Sequence, residues 1–153
     1  MTYDKLLIES ESNGLTIKEK PLSYGFKGLY KNKKIIINQK INTSSEKRCI
    51  LAEELGHHYT SFGNILDQSN IINVKQEKRA RNWGYEKLVG IISLINAFER
   101  GIKGRHDLAE YLNVTEKFLE DALKHYKEKY GIYYEIDNYI VYFQPSLTVL
   151  KIF

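Results

Sequence analysis

The chain has 153 residues, 42% apolar and 27% charged, which leaves room for one domain with a real core and is short for two. Its formal charge of +4 is mild, with lysines and arginines interleaved among acids, so nucleic-acid contact is permitted but not announced. Cys49 is the only cysteine, which excludes an intramolecular disulfide and fits a reducing compartment. With no signal-peptide pattern and no apolar run near the roughly 20 residues of a membrane span, a cytoplasmic protein is expected.

Residues 3–12 read as a short helix ending near Asn13-Gly14. Residues 15–20 alternate apolar and polar as a half-buried strand stopped by Pro21, and residues 26–30 and 34–38 read as two more strands joined by a turn at 30–33. A small antiparallel sheet is therefore expected in the first quarter of the chain. Thr43-Ser44-Ser45-Glu46 is a capping box that opens a helix running to about residue 60. Residues 61–70 are polar, contain Gly63 and read as a loop. A second long helical pattern runs from about 74 to 98, with Gly84 and Gly90 inside it. Residues 106–112 and 115–129 give two shorter helices. Residues 132–143 form a hairpin pattern around Asp137-Asn138, Pro145 ends it, and residues 147–153 are a last strand or a tail.

Leu51-Ala52-Glu53-Glu54-Leu55-Gly56-His57-His58 is the zinc-protease pattern H-E-x-x-H with one letter changed. In that pattern two ligands at i and i+4 project from one helix face and the adjacent Glu acts as general base. Here Glu53 holds the first ligand position, His57 the second and Glu54 the base position. Cys49, Glu53, Gly56, His57 and Thr60 share a face. Acids turned inward are costly without a partner, and a cation would supply one. Gly56 costs about 1 kcal/mol relative to Ala within a helix, which close approach of another backbone, an edge strand or a substrate chain, would justify. A catalytic zinc site needs a third protein ligand. Glu77 is the candidate, because it heads a small-then-apolar stripe of Ala80, Gly84, Leu88 and Ile91. Cys49 reads as a small buried residue rather than a ligand. His58 reads as packed beside the core, His106 and His125 as surface residues, and Trp83 and the many tyrosines as core and rim.

Together with Glu77-Lys78-Arg79-Ala80-Arg81-Asn82-Trp83, the motif resembles the ImmA/IrrE family of metallo-endopeptidases, whose pattern is L-A-H-E-L-G-H followed by E-x-x-A-x-x-F/W. The order of elements over roughly the first hundred residues resembles that family too. The resemblance implies Glu53, His57 and Glu77 as zinc ligands, Glu54 as general base, and a helix-turn-helix repressor of a prophage or mobile element as the protein cleaved or inactivated. Two departures stand out. Glu53 replaces a histidine, and Gly90 stands where the family often has proline. Two carboxylate ligands bring the net charge of a divalent site to zero or below. That weakens the ion as a Lewis acid and moves preference towards Mn2+ or Fe2+. The substrate peptide is expected along a sheet edge at Ile35, Ile36, Ile37 and Asn38.

Residues 107–119, with Asn113 suited to a left-handed turn, resemble a helix-turn-helix. The second helix carries Glu116, Glu120 and Asp121, which would repel phosphates, so packing or repressor docking is expected rather than DNA readout. Lys124, Lys127 and Lys129 suit its C-terminal end. The fold expected is a single α+β domain: a small N-terminal sheet packed on a helical bundle that carries the motif helix, and a C-terminal β-hairpin. Residues 1–101 would be the motif-bearing core. Residues 102–153 would hold the helix-turn-helix-like pair and the hairpin. The alternative function is a non-catalytic module, metal-binding or metal-free, that binds a repressor or DNA.

Overall fold

A computed structural model describes residues 2–60 and 71–153, residues 71–73 by their backbone only; the loop expected over 61–70 with Gly63 lies outside them. The fold is α+β, with six helices and two three-stranded sheets among the described residues. The chain divides into two compact units, Met1–Gly84 and Tyr85–Phe153. No helix among the described residues is long and apolar enough to cross a membrane.

In the first unit, α1 (Tyr3–Ser12) starts at Thr2, whose hydroxyl accepts from the Lys5 N–H at 3.3 Å. Three strands follow: β1 (Thr16–Lys20), β2 (Gly28–Lys31) and β3 (Lys34–Asn38). Their order is β1-β3-β2, with β1 parallel and β2 antiparallel to β3. The sheet is therefore mixed, where an antiparallel one was expected. β2 and β3 join through Asn32 and Lys33, both at positive φ, a two-residue hairpin turn whose twist matches that of the strands. The segment after Pro21 carries the chain past the position that β3 then fills. β3 takes the centre because Ile35 and Ile37 are essentially inaccessible to water, and a strand apolar on successive residues is stable only when covered on both faces.

Helix α2 (Ser44–Thr60) begins as the capping signal predicted, with the Glu46 N–H donating to Thr43 Oγ1 at 3.2 Å. The Glu46 side chain pairs instead with Lys27 Nζ at 3.2 Å. α2 lies against β2, β3 and α1 and buries Ile50, Leu51, Ala52, Leu55 and Gly56. The unit boundary falls within α3 (Ile71–Leu88). A Cβ on Gly56 would stand 2.0 Å from the Ala80 carbonyl oxygen, and one on Gly84 would stand 3.2 Å from that of Ala52. The close approach foreseen at Gly56 is real, but α3 makes it rather than an edge strand.

The long helix expected over 74–98 is two helices, α3 and α4 (Ile91–Glu99), separated at Val89 and Gly90. Gly90 is extended and precedes α4 as its cap. In the second unit the buried Tyr126 hydroxyl donates to the Val89 carbonyl at 2.7 Å, so the carbonyl freed by the break keeps a partner. α5 (Arg105–Leu112) ends on Asn113 in the left-handed conformation, and α6 (Glu116–Tyr130) starts at Thr115, whose hydroxyl accepts from the Phe118 N–H. Glu116 and Glu120 are exposed, and Asp121 is paired with Lys117 at 2.9 Å. His125 is buried and bonded to Glu86 at 2.9 Å, which corrects the surface position expected for it; His106 is exposed as expected. Strands β4 (Tyr133–Ile136), β5 (Tyr139–Tyr142) and β6 (Thr148–Lys151) form an antiparallel sheet in that order, so the C-terminal hairpin gains a third strand.

Gly56→Ala should destabilise the protein by about 3 kcal/mol or more, since the clash is with backbone that cannot rotate away. Gly84→Ala should cost about 1 kcal/mol or less, with the gain in helix propensity offsetting a tight contact. Urea denaturation of the two variants measures the difference; equal effects would mean that the helices do not meet at Gly56.

Candidate metal centre

Two small-residue pairs, Ala52 and Gly56 on α2 and Ala80 and Gly84 on α3, bring the helix backbones together. One residue beyond the α2 pair stand Glu53 and His57, while Glu77 and Arg81 flank Ala80. Across this seam His57 Nε2 lies 3.5 Å from Glu77 Oε1. Ligands about 2.0–2.2 Å from a tetrahedral ion stand about 3.4 Å from one another, so the pair has ligand spacing. Arg81 Nη1 lies 3.5 Å from the same Glu77 oxygen. His57 is buried. Burial opposes its imidazolium, but the hydrogen bond it donates to Glu77 and the charges of Glu54, Glu77 and Glu53 outweigh it and raise its pKa. That hydrogen bond holds the Glu77 carboxyl below its ordinary range against burial, with help from the charges of His57 and Arg81.

Glu53 and Glu54 differ from Glu77. Neither makes a hydrogen bond or ion pair with another described residue, and burial is the largest influence on both. It raises the Glu53 pKa against the favourable charge of Arg81. It pushes Glu54 up from 4.5 to about 7, with His57 pulling the other way and Glu53 and Glu77 adding to the rise.

Strand β2 covers Glu54. A Cβ on Gly28 would meet Ile50 Cγ2 at 2.7 Å and Glu54 Oε1 at 3.2 Å, so only glycine lets the helix come this close. Two residues along, the Tyr30 hydroxyl and His58 Nδ1 form a hydrogen bond at 2.8 Å. Ile50, Glu54 and His58, spaced i, i+4 and i+8, thus form one stripe beneath β2. His58 is half-buried there, and burial lowers its pKa, with Lys33 adding to the effect. Tyr59 stacks on Trp83, ring centroids 5.0 Å apart, which occupies the aromatic position of the second motif. Cys49, the only cysteine, is buried.

A family model described as the IrrE N-terminal-like domain (Peptidase M78) matches residues 11–124. The chain belongs to this family. Neither the curated proteins nor the solved structures give a match. Membership in the M78 family suggests metal-dependent peptidase chemistry and implies a divalent ion.

The donor chemistry suits such an ion: two desolvated carboxylates that make no hydrogen bond to a described residue stand on the same helix as an imidazole already at ligand spacing from the Glu77 carboxylate, and desolvated acids are costly unless neutralised. Glu53, however, does not complete the group. Among the described residues, the trio whose donor atoms all lie within 4.8 Å of one another is His106, Asp107 and Glu110, all exposed on α5. Those three sit at i, i+1 and i+4 of a solvent-facing first turn and have no buried wall. The substrate strand expected at Ile35, Ile36, Ile37 and Asn38 needs correction. β3 is bonded on both sides and Ile35, Ile37 and Asn38 are buried, so it has no edge to offer; β1 and β2 are the edges.

Two neighbours of the site escaped the sequence reading. Arg81 was legible, since an acid and a base at i and i+4 on a helix meet. Tyr30 was not, because its partner lies 28 residues away across a sheet-helix contact.

The Glu54 carboxyl titrates near 4.5 when unfolded and near 7 when folded, so its contribution to stability is fully present below about pH 4.5 and lost as pH rises through 7. About 2.5 pH units correspond to roughly 3 kcal/mol. In chelator-treated protein Glu54→Gln should be about 1–3 kcal/mol more stable than wild type at pH 8, with the advantage vanishing towards pH 5. Denaturant titration across that range checks it; a difference independent of pH would mean that Glu54 is not held against its ionised form.

Proposed function

We propose that the protein is a metal-dependent endopeptidase of the cytoplasm that cleaves a protein partner, with a helix-turn-helix repressor of a prophage or mobile element as the partner class implied by the family resemblance. The observation that carries this reading is the placement of Glu54, pushed to about 7 by burial, on the same helix as His57, which meets Glu77 at 3.5 Å. A carboxylate with a pKa near the working pH is suited both to accept and to return a proton. Glu53, His57 and Glu77 are the residues that would hold the ion. When bound, it would supply the Lewis acid that polarises the scissile carbonyl; Zn2+ is the family's expectation, with Mn2+ or Fe2+ favoured by the extra carboxylate.

The remaining steps belong to the chain itself. Glu54 accepts a proton from the attacking water and delivers it to the leaving amide nitrogen, so no net proton is consumed by the carboxyl. The substrate peptide lies extended along β2, which has an unpaired edge among the described strands and runs over Glu54 at Gly28. Main-chain hydrogen bonds to a sheet edge give register with little demand on side chains.

A non-catalytic binding module is the second reading, favoured by the position of Glu53 outside any close donor trio. DNA recognition by α5 and α6 is disfavoured by the exposed Glu116 and Glu120 at the start of α6.

Glu54→Gln should retain stoichiometric metal and lose cleavage of a co-expressed helix-turn-helix repressor by about a hundredfold or more. Elemental analysis and mass spectrometry of the repressor fragments report the two quantities. Undiminished cleavage would remove Glu54 from its role, and cleavage absent from both proteins with metal bound would favour the binding module.

A further inference from the structure

Glu77 Oε1 is the best-placed carboxylate oxygen for an ion, and it is already engaged. Arg81 Nη1 reaches it at 3.5 Å from one side and His57 Nε2 at 3.5 Å from another. Arg81 lies four residues after Glu77 and its side chain is 43% exposed, so it can leave for solvent without unpacking anything. Its charge is also the largest favourable one felt by Glu53, the carboxylate standing where the family has an imidazole. Three acids gather here, Glu53, Glu54 and Glu77, and Arg81 is the fixed cation among them.

We infer that Arg81 is a built-in counter-cation that substitutes for the metal when the site is empty and competes with a divalent ion for Glu77. This rests on the metal-site reading proposed above and adds a determinant of metal affinity to it. The chemistry is a balance of charge. With a histidine at position 53 the cluster would carry one negative charge fewer and need no resident cation. With Glu53 the metal-free form carries an extra half-buried acid, and a guanidinium four residues from Glu77 offsets it. A partly exposed ion pair is worth little in itself, so a divalent ion can displace Arg81, but it must do so against a positive charge at the very oxygen it needs. Arg81 therefore stabilises the metal-free protein and weakens metal binding together.

The experiment uses the full chain, stripped with chelator, and measures equilibrium binding of Zn2+ and of Mn2+ by competition with a chromophoric chelator, alongside thermal denaturation without metal. Arg81→Gln should bind metal about tenfold or more tightly than wild type and melt at a lower temperature when metal-free. Arg81→Lys, which keeps the charge, should stay close to wild type. Arg79→Gln, which removes the same charge from an exposed position of α3, should leave both quantities unchanged. In a Glu53→His background the loss of metal-free stability caused by Arg81→Gln should shrink. Metal affinity of Arg81→Gln equal to or weaker than wild type would overturn the inference while leaving the metal site standing. No metal uptake by wild type or Arg81→Gln would overturn both, and an equal gain in Arg79→Gln would reduce the effect to net charge.

Discussion

The site depends on how closely two helix backbones can approach. Ala52 and Gly56 face Ala80 and Gly84 so tightly that position 56 has no room for a methyl group. Side chains one residue away from these pairs are then forced to the flank of the contact, where His57 from one helix meets Glu77 from the other and Arg81 pairs with the same carboxylate. Larger residues along the seam would hold the axes at the usual 8–10 Å separation and leave His57 and Glu77 too far apart to share a partner. The cost of two glycines within helices, about 1 kcal/mol each, is thus tied to function: the same residues that weaken the helices locally bring their polar flanks to 3.5 Å.

Within that flank the three acids are sorted by surroundings rather than by chemistry. Glu77 touches two cationic groups and its carboxyl is held low. Glu54 has Gly28 and Ile50 close by, makes no hydrogen bond to a described residue, and is pushed to about 7. Carboxyls whose environments drive their pKa values apart take different parts in acid-base chemistry, and here the division matches the motif: the low one suits a ligand and the high one a base. Glu53 lies between, half-buried like Glu54 but within reach of the charge of Arg81. Its ambiguity is the structural counterpart of the one letter by which the motif departs from H-E-x-x-H.

How much of this was legible follows from which contacts are local. The motif helix was readable to its first residue because Thr43 and the Glu46 N–H are three residues apart. The closeness of His57 to Glu77 could be read because helical spacing is fixed and the Gly56 and Ala80 signals sit inside it, whereas Glu53 lies outside any close donor trio among the described residues. The sheet order could not be read from turns, since parallel pairing of β1 with β3 skips a strand. The run Ile35-Ile36-Ile37 did carry the signal of a central strand, and the expectation of an edge there ignored it. The break at Gly90 was also signalled by composition, but the group that makes it tolerable, Tyr126, is 37 residues away. His125 looked solitary for the same reason: its partner Glu86 is 39 residues distant, and nothing in the local pattern marks His125 as buried.

The correction from β3 to β2 also bears on how catalysis and binding are linked. A central strand can only support; an edge strand can recruit. Because β2 is an edge among the described strands and also lies over Glu54, a peptide added to it would run past that carboxyl. Gly28 sets the depth of that approach, and the Tyr30–His58 hydrogen bond ties the strand to the helix two residues further on. The strand edge, Glu54 and the His57–Glu77 pair are therefore positioned by contacts of α2 with β2 and with α3. A peptide on that edge would meet Glu54 whether or not the ion were in place, which separates the ability to bind a partner from the ability to cut it.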